Sequence, residues 1–528
     1  MSIFSKVAMP RPSKNTFDLS HDRKFSGRIG ELMPITVMEC VPGDKFDIKA
    51  TNLTRFAPLV TPIMHQASVY CHFFFVPTRI LWPNWEKFIS GGEDGLADPT
   101  FPTIDNSANP FAEGSLGDYL GLPTGQNFDG NNLVSAVPFA AYQKIYNDYY
   151  RDENLISSIE DNIILTDGTQ STPNRTELLE LRKRAWQHDY FTSALPWTQR
   201  GPEATIPIGT EAPLLYGDYP NPPIGNDFTY LRDPESVGGA TKNSYNNSLR
   251  SNTSGALIDT NTTQAMNIDV SQTHVADLSN ATASSINDLR RAFRLQEWLE
   301  RNARGGARYI EIIMAHFGVR SSDARLQRPE FLGGSATPIT ISEVLQTSAN
   351  SSQPSPQGNM AGHGVSVGSS NYVTYRCEEH GYIMGIMSVM PKTAYQQGIP
   401  KHFTKFDKFD YYWPSFANIG EQPIYKKELF YDNSLSTNED VFGYTPRYAE
   451  YKYIPSTVHG EFRSSLDFWH MGRIFASQPS LNQDFIECDS QEVDRVFAIT
   501  EGQEHLYVYL HNEVKATRLM PYFGTPTI

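Results

Sequence analysis

The strongest constraint on this chain is a recurrence of short strand-like segments, each closed by proline, glycine or asparagine, with no sustained alternation of strand and helix. Residues 34–41 (PITVMECV) and 44–49 (DKFDIK) flank the turn pair Pro42-Gly43. Residues 69–76 (VYCHFFFV) form a strong strand pattern that stops at Pro77. Further candidates are 308–314, 372–377, 381–390, 441–453, 458–463, 495–500 and 505–511. Helical spacing occurs in three places. Phe139, Tyr142, Tyr146 and Tyr149 repeat behind Pro138; Leu178, Leu181 and Ala185 share a face in 177–191; Leu289, Ala292, Phe293 and Leu299 share one in 289–304, ahead of Gly305-Gly306. At least nine strands and three helices in this order predict a mainly β chain, an antiparallel sandwich with helices inside long connections.

At 528 residues, with hydrophobic residues at 39% and charged residues at 20%, the chain is long and apolar enough to bury a large core. Its longest nearly uncharged apolar stretch, 382–391, is far short of the roughly 18 residues that a membrane span needs. The opening MSIFSKVAMPRPSK has no apolar run of the secretory kind. Cys40, Cys71, Cys377 and Cys488 form no CxxC pair, so four reduced thiols are expected and neither a zinc motif nor a disulfide framework. Aromatic residues reach 12%, including 27 Tyr, which suits a β-rich core and equally an extensive protein-contact surface.

Charge is unevenly spread. The net charge is −15, yet residues 1–30 carry Lys6, Arg11, Lys14, Arg23, Lys24 and Arg28 against only Asp18 and Asp22. A basic, proline-bearing arm ahead of an acidic body suits contact with nucleic acid or a neighbouring subunit; a plain solvated terminus has the same composition. Within 31–528, residues 236–285 differ in kind. Ser, Thr, Asn, Gly and Pro fill 26 of these 50 positions and Tyr245 is the only aromatic, so the stretch cannot build a core alone. It reads as a surface insertion packed by copies of itself from neighbouring subunits.

Catalytic signals are sparse. P-loop, HExxH, EF-hand and GxGxxG patterns are absent from the sequence. Residues 364–368 (GVSVG) match the nucleophile-elbow string around Ser366, but inside a Gly/Ser-rich stretch, 347–371, that reads as a loop, without the strand and helix that an elbow needs. The histidines, among them His363, His380, His402, His459, His470, His505 and His511, lack ligand spacing, and no metal site or cofactor is expected. Nine arginines between 288 and 328, interleaved with Phe293, Trp298, Tyr309 and Phe317, and the cluster Arg182-Lys183-Arg184 beside Trp186, offer either phosphate contacts or structural ion pairs; the helix favours ion pairs and the N-terminal arm favours nucleic acid.

Three blocks carry a resemblance. Residues 17–48 (FDLSHDRKFSGRIGELMPITVMECVPGDKFDI), 55–92 (RFAPLVTPIMHQASVYCHFFFVPTRILWPNWEKFISGG) and 442–470 (FGYTPRYAEYKYIPSTVHGEFRSSLDFWH) are similar, in this order, to the major capsid proteins of gokushoviruses, the small single-stranded DNA phages of the Microviridae. The resemblance implies an eight-stranded antiparallel jelly-roll sandwich with long helix-containing loop insertions. It also implies a T=1 icosahedral shell around circular single-stranded DNA, assembled in the host cytoplasm, and no enzymatic activity. The 236–285 insertion falls where that family carries a variable loop. Three copies would meet as a threefold protrusion for attachment to a bacterial surface receptor, with Tyr245, Asn246, Asn247, Asn252 and Asn261 toward its tip. Arg11, Lys14, Arg23 and Lys24 would face the DNA. Since a −15 subunit does not neutralise a genome, a small basic DNA-packaging protein is expected, alongside minor pilot or spike proteins and an internal scaffolding protein. The rival from another class is a β-sandwich carbohydrate-binding protein or glycoside hydrolase, whose Tyr and Trp would stack sugars.

Overall fold

Strand alternation is realised most fully near the C-terminus. In Leu506–Arg518 the side chains of Leu506, Val508, Leu510, Asn512, Val514 and Ala516 are buried, and Tyr507, Tyr509 and Lys515 between them are exposed. The computed structural model describes residues 12–106, 109–130, 132–202, 204, 286–347, 357–499 and 503–523, together with the backbone of six three-residue strands between 214 and 276. Two compact units are present, one made of 1–200 with 301–528 and the other of 201–300.

The principal strands are β1 (Asn15–Asp18), β2 (His21–Gly27), β3 (Met33–Cys40), β4 (Lys45–Phe56), β5 (Ala67–Pro77), β6 (Glu330–Pro338), β7 (Thr340–Leu345), β8 (Met360–Ser369), β9 (Val373–Arg376), β10 (Gly381–Pro391), β11 (Glu421–Tyr425), β12 (Val441–Pro446) and β13 (Leu506–Arg518). All their pairings are antiparallel. In the seven-stranded sheet β1 and β2 lie end to end along one side of β13, β4 runs along its other side, β8 and β9 follow end to end on β4, and β7 forms the far edge. The four-stranded sheet has the order β6-β5-β10-β3.

The two sheets share one core. Phe46, Ile48, Leu506, Leu510 and Val514 from the larger sheet cluster with Cys71, Phe73, Phe75, Ile383, Met387 and Val389 from the smaller. The alternate residues of β5 and β10, Phe74, Val76, Met384 and Ile386, point the other way into a second core. Helix α1 (Val137–Ile145), continued by a π-helical turn at Tyr146–Tyr150, covers that face with Phe139, Tyr142 and Ile145. Both faces of these strands are therefore covered, and their sequences read as unbroken apolar runs for that reason. The Tyr142 hydroxyl donates to Leu32 O at 2.9 Å and accepts from Arg182 N at 3.0 Å, which fixes α1 to the start of β3.

Several segments differ from the sequence expectation. The helix expected over 177–191 is α2 (Thr172–Leu179) and stops at Leu179. Beyond it the chain is extended: Leu32 N donates to Arg182 O, Arg184 N to Gly30 O and Trp186 N to Ile486 O, at 2.9, 2.7 and 2.8 Å. These tertiary bonds outweigh a helical spacing that only its first turn obeys. Residues 308–314 are not a strand. They open helix α4 (Tyr309–Phe317), where the Glu311 carboxylate accepts from Arg308 N at 3.2 Å and Gly318 closes the end with φ +67°. Residues 458–463 and 495–500 hold single 3-10 turns, Gly460–Arg463 and Asp494–Val496. The Arg495 guanidinium supplies their missing ladder by donating to Asp467 O at 3.0 Å and His470 O at 2.9 Å. The expected basic arm is sheet from Asn15 onward. The helix expected at 289–304 is α3 (Ile286–Gly305). All four cysteines are buried free thiols, and burial pushes Cys71 up to about 12.

The glycine-rich stretch 347–371 is also no loop where it is described. From Met360 it is β8, and its glycines permit close approach: a Cβ at Gly364 would stand 2.6 Å from Phe56 Cδ2, and one at Gly362 would overlap the Thr61 carbonyl. Gly362→Val is expected to cost about 2 kcal/mol or more through overpacking. Val367→Thr, on the outward side of the same strand, should stay within about 0.5 kcal/mol. Urea unfolding midpoints of the two variants check this.

Candidate functional site

The larger sheet has one buried face and one open face. Cross-strand register fixes what the open face carries. Ser26, Tyr507, Arg55 and Val365 form one rung, and Lys24, Tyr509, Leu53 and Val367 the next. Asp22, His511, Thr51 and Ser369 follow, then Glu513 with Lys49, and Asp18, Lys515 and Asp47. Each acid is engaged. Asp18 bonds Ser20 Oγ at 2.5 Å, Asp22 bonds His511 Nδ1 at 2.6 Å, Asp47 bonds Thr374 Oγ1 at 2.5 Å, and Glu513 bonds the Tyr372 hydroxyl. Those hydrogen bonds hold all four carboxyls below their ordinary range.

The basic residues singled out in the sequence separate here. Lys14 is exposed just ahead of β1, and Arg11 lies outside the described residues. Arg23 and Lys24 are neighbours on β2, so strand alternation sends them to opposite faces. Lys24 stands on the open face with its Nζ 5.8 Å from the Tyr509 ring centre. Arg23 turns inward and donates to Tyr119 O at 2.7 Å and Pro34 O at 3.4 Å. Both border, with Arg28 and Tyr507, a cavity of about 880 Å³ that also holds Asp22, Glu113 and Glu504. Tyr245, Asn246, Asn247, Asn252 and Asn261 lie outside the described residues.

The other basic clusters are committed within the chain. Arg182 pairs with Glu177 and Glu180, Lys183 with Asp489, and Arg184 lies 4.3 Å over Tyr70. Arg304 pairs with Glu421, Arg308 with Glu311 at 3.1 Å, and Arg328 covers Tyr149 at 4.3 Å. These contacts serve structure; of the arginines on the helix itself, Arg304 is the one they include.

A second surface has a different character. Between Phe403 and Ile454, the loop from β10 to β11 exposes Phe403, Phe406, Tyr411 and Trp413, and the segment after β12 exposes Ile454, with Phe406 90% and Ile454 84% exposed. A groove of about 570 Å³ beside them is lined by Tyr190, Tyr395, Tyr451 and Tyr453. Lys405 anchors this region through Glu450 at 2.7 Å and lies 3.9 Å over Tyr451. An exposed apolar surface of this density is of the kind that interaction sites present. Neither these aromatics nor Arg55, Tyr507 and Tyr509 stood out in the sequence. Alternation in 506–514 was the available signal, but only the register shows which strands join it.

Residues 5–528 match the capsid protein (F protein) family. The chain is 37% identical to capsid protein VP1 of Bdellovibrio phage phiMH2K, covering 94% of this chain and 92% of that one. It is 35% identical to capsid protein VP1 of Chlamydia phage 1, covering 99% and 97%, and 33% identical to that of Spiroplasma virus 4, covering 99% and 96%. The chain belongs to this capsid protein family. The resemblance drawn from the three sequence blocks therefore holds, and the two surfaces above belong to a Microviridae capsid protein.

In this capsid protein the nucleophile-elbow match sits in the middle of β8. Ser366 is 1% exposed, and its Oγ has no hydrogen-bond partner among the described residues. A nucleophile needs access and a base, and the strand provides neither. Replacing Ser366 by Ala removes an unpaired buried hydroxyl, so stability should be unchanged or rise by up to about 1 kcal/mol. Simple esters should be hydrolysed at the background rate by both forms, as read by p-nitrophenyl acetate turnover and a thermal melt.

Proposed function

We propose that this capsid protein closes a T=1 icosahedral shell around circular single-stranded DNA, with its two sheets forming an eight-stranded jelly roll. The observation that carries the reading is the near full-length similarity to capsid proteins VP1 together with the exposed aromatic loops at Phe403–Ile454. Sheet order supports the jelly roll: β2, β13, β4 and β8 face β3, β10, β5 and β6, so the chain crosses between sheets at every step of this set but one, β5 to β6, which pair within the same sheet. β1, β7 and β9 are extensions of that set.

Subunits meet through the aromatic loops, which bury against a neighbouring copy as the apolar centre of a large permanent interface. Lys14 and Lys24, with Arg11, contact DNA on the inside; Arg23, already held by two carbonyls, anchors the strand that presents Lys24. The insertion at 236–285 forms threefold protrusions, with Tyr245, Asn246, Asn247, Asn252 and Asn261 near the tip for attachment to a bacterial surface receptor. A small basic packaging protein offsets the −15 charge, and pilot or spike proteins and an internal scaffolding protein take part during assembly in the host cytoplasm.

Negative-stain electron microscopy of material sedimented from expressing cells tests the reading. Uniform isometric particles made mainly of a 59.4 kDa band are expected. Phe406→Asp should leave a folded subunit that no longer sediments as particles. Deleting 240–280 should spare the shell and abolish adsorption to host cells. A slowly sedimenting wild-type chain that turns over glycosides would favour the carbohydrate-active alternative instead.

A further inference from the structure

We propose that the end of the open sheet face marked by Tyr507 and Tyr509 is a binding site for single-stranded nucleic acid, in which these two rings stack successive bases while Lys24 and Arg55 hold the phosphates. This deepens the reading that the chain encloses DNA and rests on it.

The geometry comes from the ladder. Tyr507 and Tyr509 are two residues apart on β13, so they project from the same face about 7 Å apart, a step that suits consecutive bases of an extended strand. Their rings are 41% and 37% exposed, enough to offer a π-face while the backbone stays locked between β2 and β4. Register then places a cation beside each ring. Arg55 is the partner of Tyr507, and Lys24 is the partner of Tyr509. Neither Lys24 nor Arg55 has an ion-pair partner among the described residues, unlike Arg182, Arg304, Arg308 and Arg473. Leu53, Val365 and Val367 complete the two rungs and add apolar contact for a base.

Charge argues for the occupant. The two rungs themselves carry no carboxylate; Asp22, one rung away, is engaged by His511 and the Tyr509 hydroxyl, and Glu113 and Glu504 stand across the cavity that Lys24 and Tyr507 border. Aromatic faces flanked by unpaired cations on a rigid sheet suit a polyanion with flat bases; base–aromatic stacking tolerates every sequence, which a packaged genome requires. The loops at 403–454, by contrast, expose larger apolar residues, and Lys405 among them is paired with Glu450.

The test uses the full-length chain and a fluorescein-labelled oligothymidylate of about 16 nucleotides. Tyr507→Ala/Tyr509→Ala should weaken binding about 30-fold or more, while Tyr507→Phe/Tyr509→Phe should retain it. Lys24→Gln/Arg55→Gln should lower the slope of log affinity against log salt by roughly 1.4, about 0.7 for each phosphate that is no longer neutralised. Lys45→Gln/Lys515→Gln, at the other end of the face, should change neither stacking nor the affinity of the oligonucleotide. Unchanged affinity in the alanine pair overturns the site. So does a folded alanine pair that no longer forms shells, because the face would then be a subunit interface. If the alanine pair does not fold, the salt slope of Lys24→Gln/Arg55→Gln decides, an unchanged slope overturning the site. Wild-type particles in the microscope report on the capsid reading separately, so intact shells with unaltered oligonucleotide binding would remove this site alone.

Discussion

The structure depends on one strand pairing. β13, from the last stretch of the chain, lies between β2 and β4 from its first stretch, with register running from Leu506 opposite Phe56 to Thr517 opposite Lys45. Neither half of the larger sheet exists without the other, so the domain closes only when both ends of the chain are in hand. Everything between β5 and β6 is an excursion from that frame. Loop-closure entropy rises only slowly with loop length, so once the frame is made a long excursion adds little further cost. The same non-local pairing makes slow folding the natural expectation.

How much of this was legible in the sequence depends on whether a segment's own periodicity agrees with its neighbours. β3, β5, β10 and α1 were readable because alternation, unbroken apolar runs or helical spacing coincide with what packs against them. Two errors arose where a few residues imitate the wrong period. Tyr309 to Ile313 is rich in β-favouring residues, yet Glu311 caps the helix three positions after Arg308 and Gly318 ends it. Leu178, Leu181 and Ala185 share a helical face in projection only, since backbone bonds to Gly30, Leu32 and Ile486 hold the second half extended. β8 failed for another reason. Its glycines look like loop punctuation, but their meaning lies in Thr61 and Phe56, three hundred residues earlier in the chain.

The proposed nucleic-acid face was legible in charge and illegible in orientation. A basic N-terminus is visible in the composition, but adjacency in sequence hides that Arg23 and Lys24 face opposite ways. Tyr507 and Tyr509 look like two tyrosines among 27 until the register sets Lys24 and Arg55 beside them. Sheet register is a long-range quantity, fixed by burial of Leu506, Val508 and Leu510 on the other side of the strand.

The region between β10 and β13 is held together by different means. It has few ladders, so buried polar side chains take over the role of backbone pairing. Asp189 accepts from Phe191 N and Thr192 N at 2.8 Å each, from Thr393 Oγ1 at 2.6 Å and from the Tyr395 hydroxyl at 2.7 Å. Arg473, 1% exposed, makes a fork to Glu492 at 2.8 and 2.9 Å beneath Trp186 and Phe485. Because such anchors fix a loop at points and not along its length, the residues between them are free of the in–out alternation that a sheet imposes. Consecutive aromatics such as Tyr411, Tyr412 and Trp413 can then all be exposed. Regular strands give evenly spaced rungs of mixed character, fitted to a repeating polymer. Anchored loops give a dense apolar patch, fitted to another folded surface. The proposed nucleic-acid face draws on the first kind of surface and the proposed subunit contact on the second, each arising from the way the backbone hydrogen bonds are satisfied.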